Sequence, residues 1–213
     1  MSSKKNTLIL VFDPLCGWCY GFGPVMNQLF EKYHDRLNFD VISGGMITGK
    51  RIGPLSNMRD FIRQAYKRVE QTTGVKFGQA FLEKTLEEGT ATFSSLEPSK
   101  ALTIFRSFQP DKVVEFGHEI QKLIYFDGIN PVQVDAYMPL FARYGLQQKQ
   151  ILPLFNSKET EQETINEFGR AARWGISGFP ACVMQLHSGK AFLLSNGYLP
   201  YEEMEEKIMQ YLG

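Results

Sequence analysis

Three cysteines occur in the 213 residues, and two of them, Cys16 and Cys19, form a C-x-x-C. Random placement would give some pair that spacing roughly 3% of the time, so the pair calls for a reason. Two thiols so spaced either supply half of a zinc site or exchange a disulfide. The surrounding sequence bears on the choice. Thr7-Leu8-Ile9-Leu10-Val11-Phe12 is a short apolar run rich in β-formers, a buried strand, and Asp13-Pro14 closes it. Phe22, Val25, Met26, Leu29, Phe30 and Tyr33 then recur at near-helical spacing. The pair therefore stands where a helix begins. There, unpaired N–H groups and the positive end of the helix dipole favour thiolate over thiol. A thiolate attacks a disulfide, and a second thiol one turn along can attack the mixed disulfide and release the substrate. Cys16, nearer the tip, is the expected nucleophile, and Cys19 the resolving thiol.

The elements that must position this pair follow from the rest of the pattern. Residues 37–42 alternate as a second strand and stop at Gly44-Gly45, so the chain opens β-α-β. Pro24 is expected to kink the intervening helix. The middle is helical: Met58, Phe61, Ile62, Ala65, Tyr66 and Val69 make one stripe, with Ser56 a candidate N-cap and Gly74 a stop. Further helices are expected near 78–88, 98–108, 112–126, 135–144 and 147–156, the third capped by Asp111. A helix over 158–173 precedes strands at 181–186 and 191–194, joined by a turn at His187-Ser188-Gly189-Lys190, and a helix over 201–212 ends the chain. Neither terminal piece buries enough alone, so the two must pair in one sheet. The expectation is an α/β thioredoxin-like fold, a mixed sheet flanked by helices, with a large all-helical insertion. Its discontinuous sheet domain spans 1–52 and 163–213, and the insertion 53–162.

Asp13-Pro14-Leu15-Cys16-Gly17-Trp18-Cys19-Tyr20, with Gly21-Phe22-Gly23-Pro24 after it, resembles the active-site segment of the DsbA family of thiol–disulfide oxidoreductases, particularly its FrnE-like cytosolic branch. Trp174-Gly175-Ile176-Ser177-Gly178-Phe179-Pro180 resembles the Gly-x-x-Gly-x-Pro segment that carries the family's cis-proline. The resemblance implies a thioredoxin domain interrupted by helices and a protein disulfide reductase or isomerase. Cys16 and Cys19 would be catalytic, and Trp18, Phe179 and Pro180 would bind substrate. It implies a cis bond before Pro180 and an extended substrate chain received at Phe179. One departure stands out: FrnE-like members commonly place Pro-Trp between the cysteines, and this chain has Gly17-Trp18. That dipeptide tunes the redox potential, so the direction of electron flow does not carry over. A related group, the kappa-class glutathione transferases and hydroxychromene-carboxylate isomerases, shares the fold but uses a serine where Cys16 stands.

Other residues are read more plainly. Asp13 is open to two readings, a buried carboxylate that helps move the Cys19 proton or a turn residue that ends the strand. Cys182, two residues past Pro180, is read as a buried small hydrophobe rather than a redox partner. A noncatalytic zinc or interaction module would need a further ligand, for which Cys182 is the candidate. His34, His118 and His187 show no ligand spacing and are read as surface or capping residues. Phe77, Phe93, Phe105, Phe116 and Phe126 divide between core and groove. Lysine plus arginine total 23, as do aspartate plus glutamate, which leaves no surplus positive charge for nucleic acid. The apolar run behind Lys4 and Lys5 is too short for a signal peptide or a membrane span. A cytoplasmic protein is expected, with no metal or organic cofactor beyond its redox-active disulfide. Its substrate is a disulfide-containing protein or small thiol, glutathione is a candidate co-substrate, and the chain is a monomer or homodimer.

Overall fold

The apolar run at the start of the chain forms β1 (Thr7–Phe12), buried at every position after its first. Its length without polar alternation has a simple cause: both faces are covered. Leu8, Leu10 and Phe12 point into the larger core, and Ile9 and Val11 into a smaller one with Ile42, Ala171, Ile176, Ala181 and Val183. These coordinates are a computed structural model that describes residues 5–212; Lys4 and the outermost limits of the expected domains, 1 and 213, lie outside them.

After β1 the chain runs through α1 (Gly17–Tyr33), continuous through Pro24, and β2 (Asn38–Ser43). The middle holds β3 (Gly53–Pro54), α2 (Arg59–Thr73), α3 (Leu86–Glu88), β4 (Thr92–Phe93), α4 (Leu96–Phe108), α5 (Val113–Tyr125), α6 (Met138–Arg143) and α7 (Gln148–Phe155). Then come α8 (Lys158–Arg173), β5 (Ala181–Gln185), β6 (Ala191–Asn196) and α9 (Tyr201–Met209). One four-stranded sheet has the order β2-β1-β5-β6. β1 runs parallel to β2 and antiparallel to β5, with Leu10 opposite Cys182, and β5 and β6 form an antiparallel hairpin. The two ends of the chain therefore share a mixed sheet, in a DsbA-like thioredoxin fold with a helical insertion.

The insertion departs from its expected form in detail. Gly53 and Pro54 pair antiparallel with Phe93 and Thr92, so a two-residue ladder interrupts the helices; it is too short to leave a pattern in sequence. α8 crosses the boundary expected between 162 and 163. Its Glu167 accepts the Ser43 N–H of β2 at 2.9 Å and pairs with Arg106 of α4, so one helix ties inserted block to sheet. Gly74 does stop α2, in the left-handed region at φ 78°. Ser56 and Asp111 cap nothing. Each lies in a short 3-10 turn, and the residues at the helix starts, Met58 and Lys112, make no side-chain cap. Among the described residues no helix is long and apolar enough to cross a membrane.

Candidate functional site

The Asp13-Pro14-Leu15 turn delivers Cys16 to the N-cap of α1. The Cys16 N–H donates to the Asp13 carbonyl at 3.0 Å, and the residue keeps an extended backbone, φ −99° and ψ 112°. Its Sγ accepts the Cys19 N–H at 3.4 Å, occupying one of the donors that a helix start leaves free. From α5, the Gln121 amide donates to the Asp13 carbonyl at 3.3 Å and the Cys16 carbonyl at 3.4 Å, which pins the turn. Both thiols are free, with Cys16 7% exposed and Cys19 only 1%.

The two motifs that lie far apart in sequence meet here. The Cys16 thiol donates to the Phe179 carbonyl at 3.5 Å, and the Phe179–Pro180 peptide bond is cis. The Phe179 ring lies so close to Gly44 that a Cβ there would sit 2.1 Å from its ring carbons. A glycine that reads in sequence as the end of β2 is thus the seat of the loop facing Cys16. Pro180 is buried, and its carbonyl accepts the Gly197 N–H at 2.7 Å beside the β5–β6 hairpin.

Asp13 is completely buried and fully engaged. One carboxylate oxygen accepts the Leu15 N–H and the Ser95 hydroxyl, each at 2.9 Å, and the other accepts the Met46 N–H at 2.6 Å. Burial outweighs these donors and the positive charge of Arg51, and lifts its pKa to about 6. Its carboxylate makes no hydrogen bond to Cys19 among the described residues; it joins the end of β1 to the loop after β2 and the start of α4. Burial also holds the Cys19 thiol well above its ordinary range, helped by the adjoining Cys16 sulfur and by charge on Asp13.

Cys16 opens on an apolar groove of about 270 Å³. Its floor is Leu15, Gly17, Trp18 and the segment Ser177–Phe179, and its roof is α2 with Met58 just before it. The Met58, Phe61, Ile62, Ala65, Tyr66 and Val69 stripe, which reads as an ordinary core face, is that roof; Phe61 stays 69% exposed. Sequence gave no sign of this, because a helix facing a cleft and one facing a core carry the same periodicity. Of the five phenylalanines divided between core and groove, Phe77 lines the groove, Phe93, Phe105 and Phe116 are core, and Phe126 is half exposed. Trp18 packs against Tyr198, ring centroids 6.1 Å apart.

Cys182 lies in the core with its sulfur 4.0 Å from that of Met26, and burial pushes its thiol up to about 12. Among the described residues no three His, Cys, Asp or Glu side chains gather as a metal-binding group. His34 and His187 are exposed, but His118 is not a surface residue. It stacks on Tyr20 with ring centroids 5.7 Å apart, against Gly23 of α1, and burial lowers its pKa to about 4. The small residues of Gly21-Phe22-Gly23 were the available signal that another element approaches α1 closely.

The structure is similar to those of DsbA-family thiol–disulfide oxidoreductases, which have a thioredoxin-like fold, and a dithiol at the head of a helix suits that chemistry. Among these it is similar to a candidate protein disulfide isomerase from Nitrosomonas europaea, at 29% identity and TM-score 0.85 over 98% of both chains. It shares its fold with the cytosolic disulfide reductase DsbM of Pseudomonas aeruginosa, also solved with glutathione, at 24% identity and TM-score 0.79 over 96% of this chain and 98% of that one. A 2-hydroxychromene-2-carboxylate isomerase has the same fold at 14% identity and TM-score 0.65, over 97% of this chain and 95% of that one. No protein-family model matches the sequence. The ClpXP adapter protein SpxH of Halalkalibacterium halodurans is 24% identical over 162 residues, 73% of this chain and 50% of that protein. The chain therefore spans about half the length of that curated relative.

Proposed function

We propose that the protein is a disulfide reductase or isomerase of a reducing, cytoplasmic compartment, acting through a mixed disulfide on Cys16. One observation carries this reading: the pair is split between two environments, Cys16 opening on the groove at the head of α1 and Cys19 sealed behind it. The Cys16 thiolate attacks one sulfur of the substrate disulfide. A Cys16–substrate bond forms as the substrate S–S bond breaks, and the departing thiolate takes up a proton. Cys19 then loses its proton and attacks the Cys16 sulfur. The enzyme disulfide forms, the second substrate thiol leaves, and the substrate has gained two electrons and two protons. Two molecules of reduced glutathione return the pair to the dithiol, the first forming a mixed disulfide with the enzyme and the second displacing it, and they leave as glutathione disulfide. The glutathione complex of the DsbM neighbour supports that assignment.

The residues around the pair have consistent parts. Burial keeps Cys19 protonated until the mixed disulfide forms, so Cys16 meets the substrate first. Trp18 and the roof of α2 receive the apolar flank of the substrate, and Phe179 and Pro180 receive its backbone as an added extended segment. Asp13 holds the turn, and its charge adds a little to the burial that makes the Cys19 proton hard to remove. The test is trapping. Cys19→Ser should accumulate a disulfide adduct on Cys16, visible by mass spectrometry and cleared by dithiothreitol, while Cys16→Ser accumulates none. Insulin-disulfide reduction should vanish in both. A Cys16→Ser protein that still reduces insulin would remove the proposed nucleophile.

A further inference from the structure

The rim of the groove carries a cation with no anion of the protein's own. Of the arginines on α2, Arg59 donates to the Leu86 carbonyl at 2.9 Å, and Arg63 pairs with Asp60 at 3.5 Å and with Glu87. Arg68 is exposed and makes no ion pair among the described residues. Its guanidinium carbon instead lies 6.0 Å from the centroid of the Trp18 ring. Trp18 stands between the two cysteines in sequence, and Val69, next to Arg68, is part of the groove wall. The guanidinium is thus held at the mouth of the cleft that contains Cys16.

This placement has a chemical consequence. A guanidinium drawn to an indole by the ring quadrupole keeps its N–H donors directed at the edge of its own plane. Those donors match the two oxygens of a carboxylate. The groove itself is walled by Met46, Met58, Ile62 and Phe77 and offers little to an anion, so a carboxylate near the reacting sulfur finds its partner at the rim. We propose that Arg68 is a specificity-determining residue that favours disulfides bearing a carboxylate close to the reacting sulfur, the chemical type of glutathione disulfides, whose two terminal carboxylates flank the cysteine. This rests on the reading of Cys16 as the nucleophile.

The test separates the two claims. Pre-reduced enzyme is mixed in single turnover with oxidised glutathione (anionic), 2-hydroxyethyl disulfide (neutral) and cystamine (cationic), and the thiols released are counted. An exposed ion pair contributes at most about 1 kcal/mol. Arg68→Gln should therefore slow oxidised glutathione about three- to fivefold, leave the neutral disulfide within twofold, and speed cystamine. Arg68→Lys should keep part of the preference, and 0.5 M salt should narrow the wild-type ratio. Equal slowing of all three disulfides would make Arg68 a packing partner of Trp18, and unchanged ratios would leave it without a part in selection; either overturns the inference while Cys16 keeps its role. Wild-type enzyme inert toward all three would instead overturn the reading of Cys16.

Discussion

Asp13→Asn tests the balance of forces behind the dithiol. Three donors, the Leu15 and Met46 N–H groups and the Ser95 hydroxyl, favour the carboxylate, and complete burial opposes it. Burial prevails, and the folded-state pKa stands near 6 against an ordinary 3.8. The sign follows from proton counting. Between these two values the folded protein binds more protons at Asp13 than the unfolded chain does, so stability falls as pH rises through that window. At about 1.4 kcal/mol per pKa unit, the ionised carboxylate costs about 3 kcal/mol once pH exceeds the folded value, of which about 2 kcal/mol appears between pH 4 and pH 7.5. Asparagine has nearly the same shape and does not titrate. Relative to wild type, Asp13→Asn should therefore gain about 2 kcal/mol of stability in going from pH 4 to pH 7.5, whatever constant offset its amide introduces at Met46. Urea unfolding of both proteins across that range measures it. A difference that does not change with pH would mean that the three donors balance burial, and one that moves against the variant that they outweigh it. The same substitution removes a charge that raises the Cys19 pKa, so Cys19 alkylation in a Cys16→Ser background should begin at lower pH.

Why the fold could be read follows from the covering of its elements. β1 declared itself because a strand buried on both faces is continuously apolar. The β3–β4 ladder left no trace, since two residues of Gly-Pro and Thr-Phe carry no periodicity. At the site, the thiols were legible from a local spacing at a helix start, and Pro180 from the Gly-x-x-Gly-x-Pro segment that carries the resemblance. Gln121 and Gly44 were not. Gln121 acts through its amide on two carbonyls more than a hundred residues away in sequence, and Gly44 through a ring brought to it by the return of the chain at β5. The roof of the groove was hidden for a related reason: hydrophobicity records that α2 covers something, not whether that something is packed or open.

The remaining perturbations probe the same supports. Arg106→Met should destabilise by about 3–5 kcal/mol, because it leaves the Glu167 carboxylate buried without its cation where α8 meets β2; adding Glu167→Gln should restore part of that loss in urea unfolding. No recovery would assign the cost to the packing of Arg106 alone. Gly44→Ala places a methyl 2.1 Å from the Phe179 ring, and a ring cannot yield as a flexible chain end does. Overpacking of this kind costs about 1–3 kcal/mol, and the loop has to move to relieve it. That loop carries the carbonyl 3.5 Å from the Cys16 sulfur, so a shift of even an ångström should lower kcat/KM for insulin reduction tenfold or more. Stability loss alone could mimic this. Gly145→Ala is the control: its φ of 76° strains any side chain, but nothing lies within 4 Å of the new methyl, so it should lose stability and keep its turnover. Were Gly44→Ala and Gly145→Ala to lose activity only in proportion to stability, the Phe179 loop would have no part in placing the substrate, and the pairing of the two motifs would be structural alone.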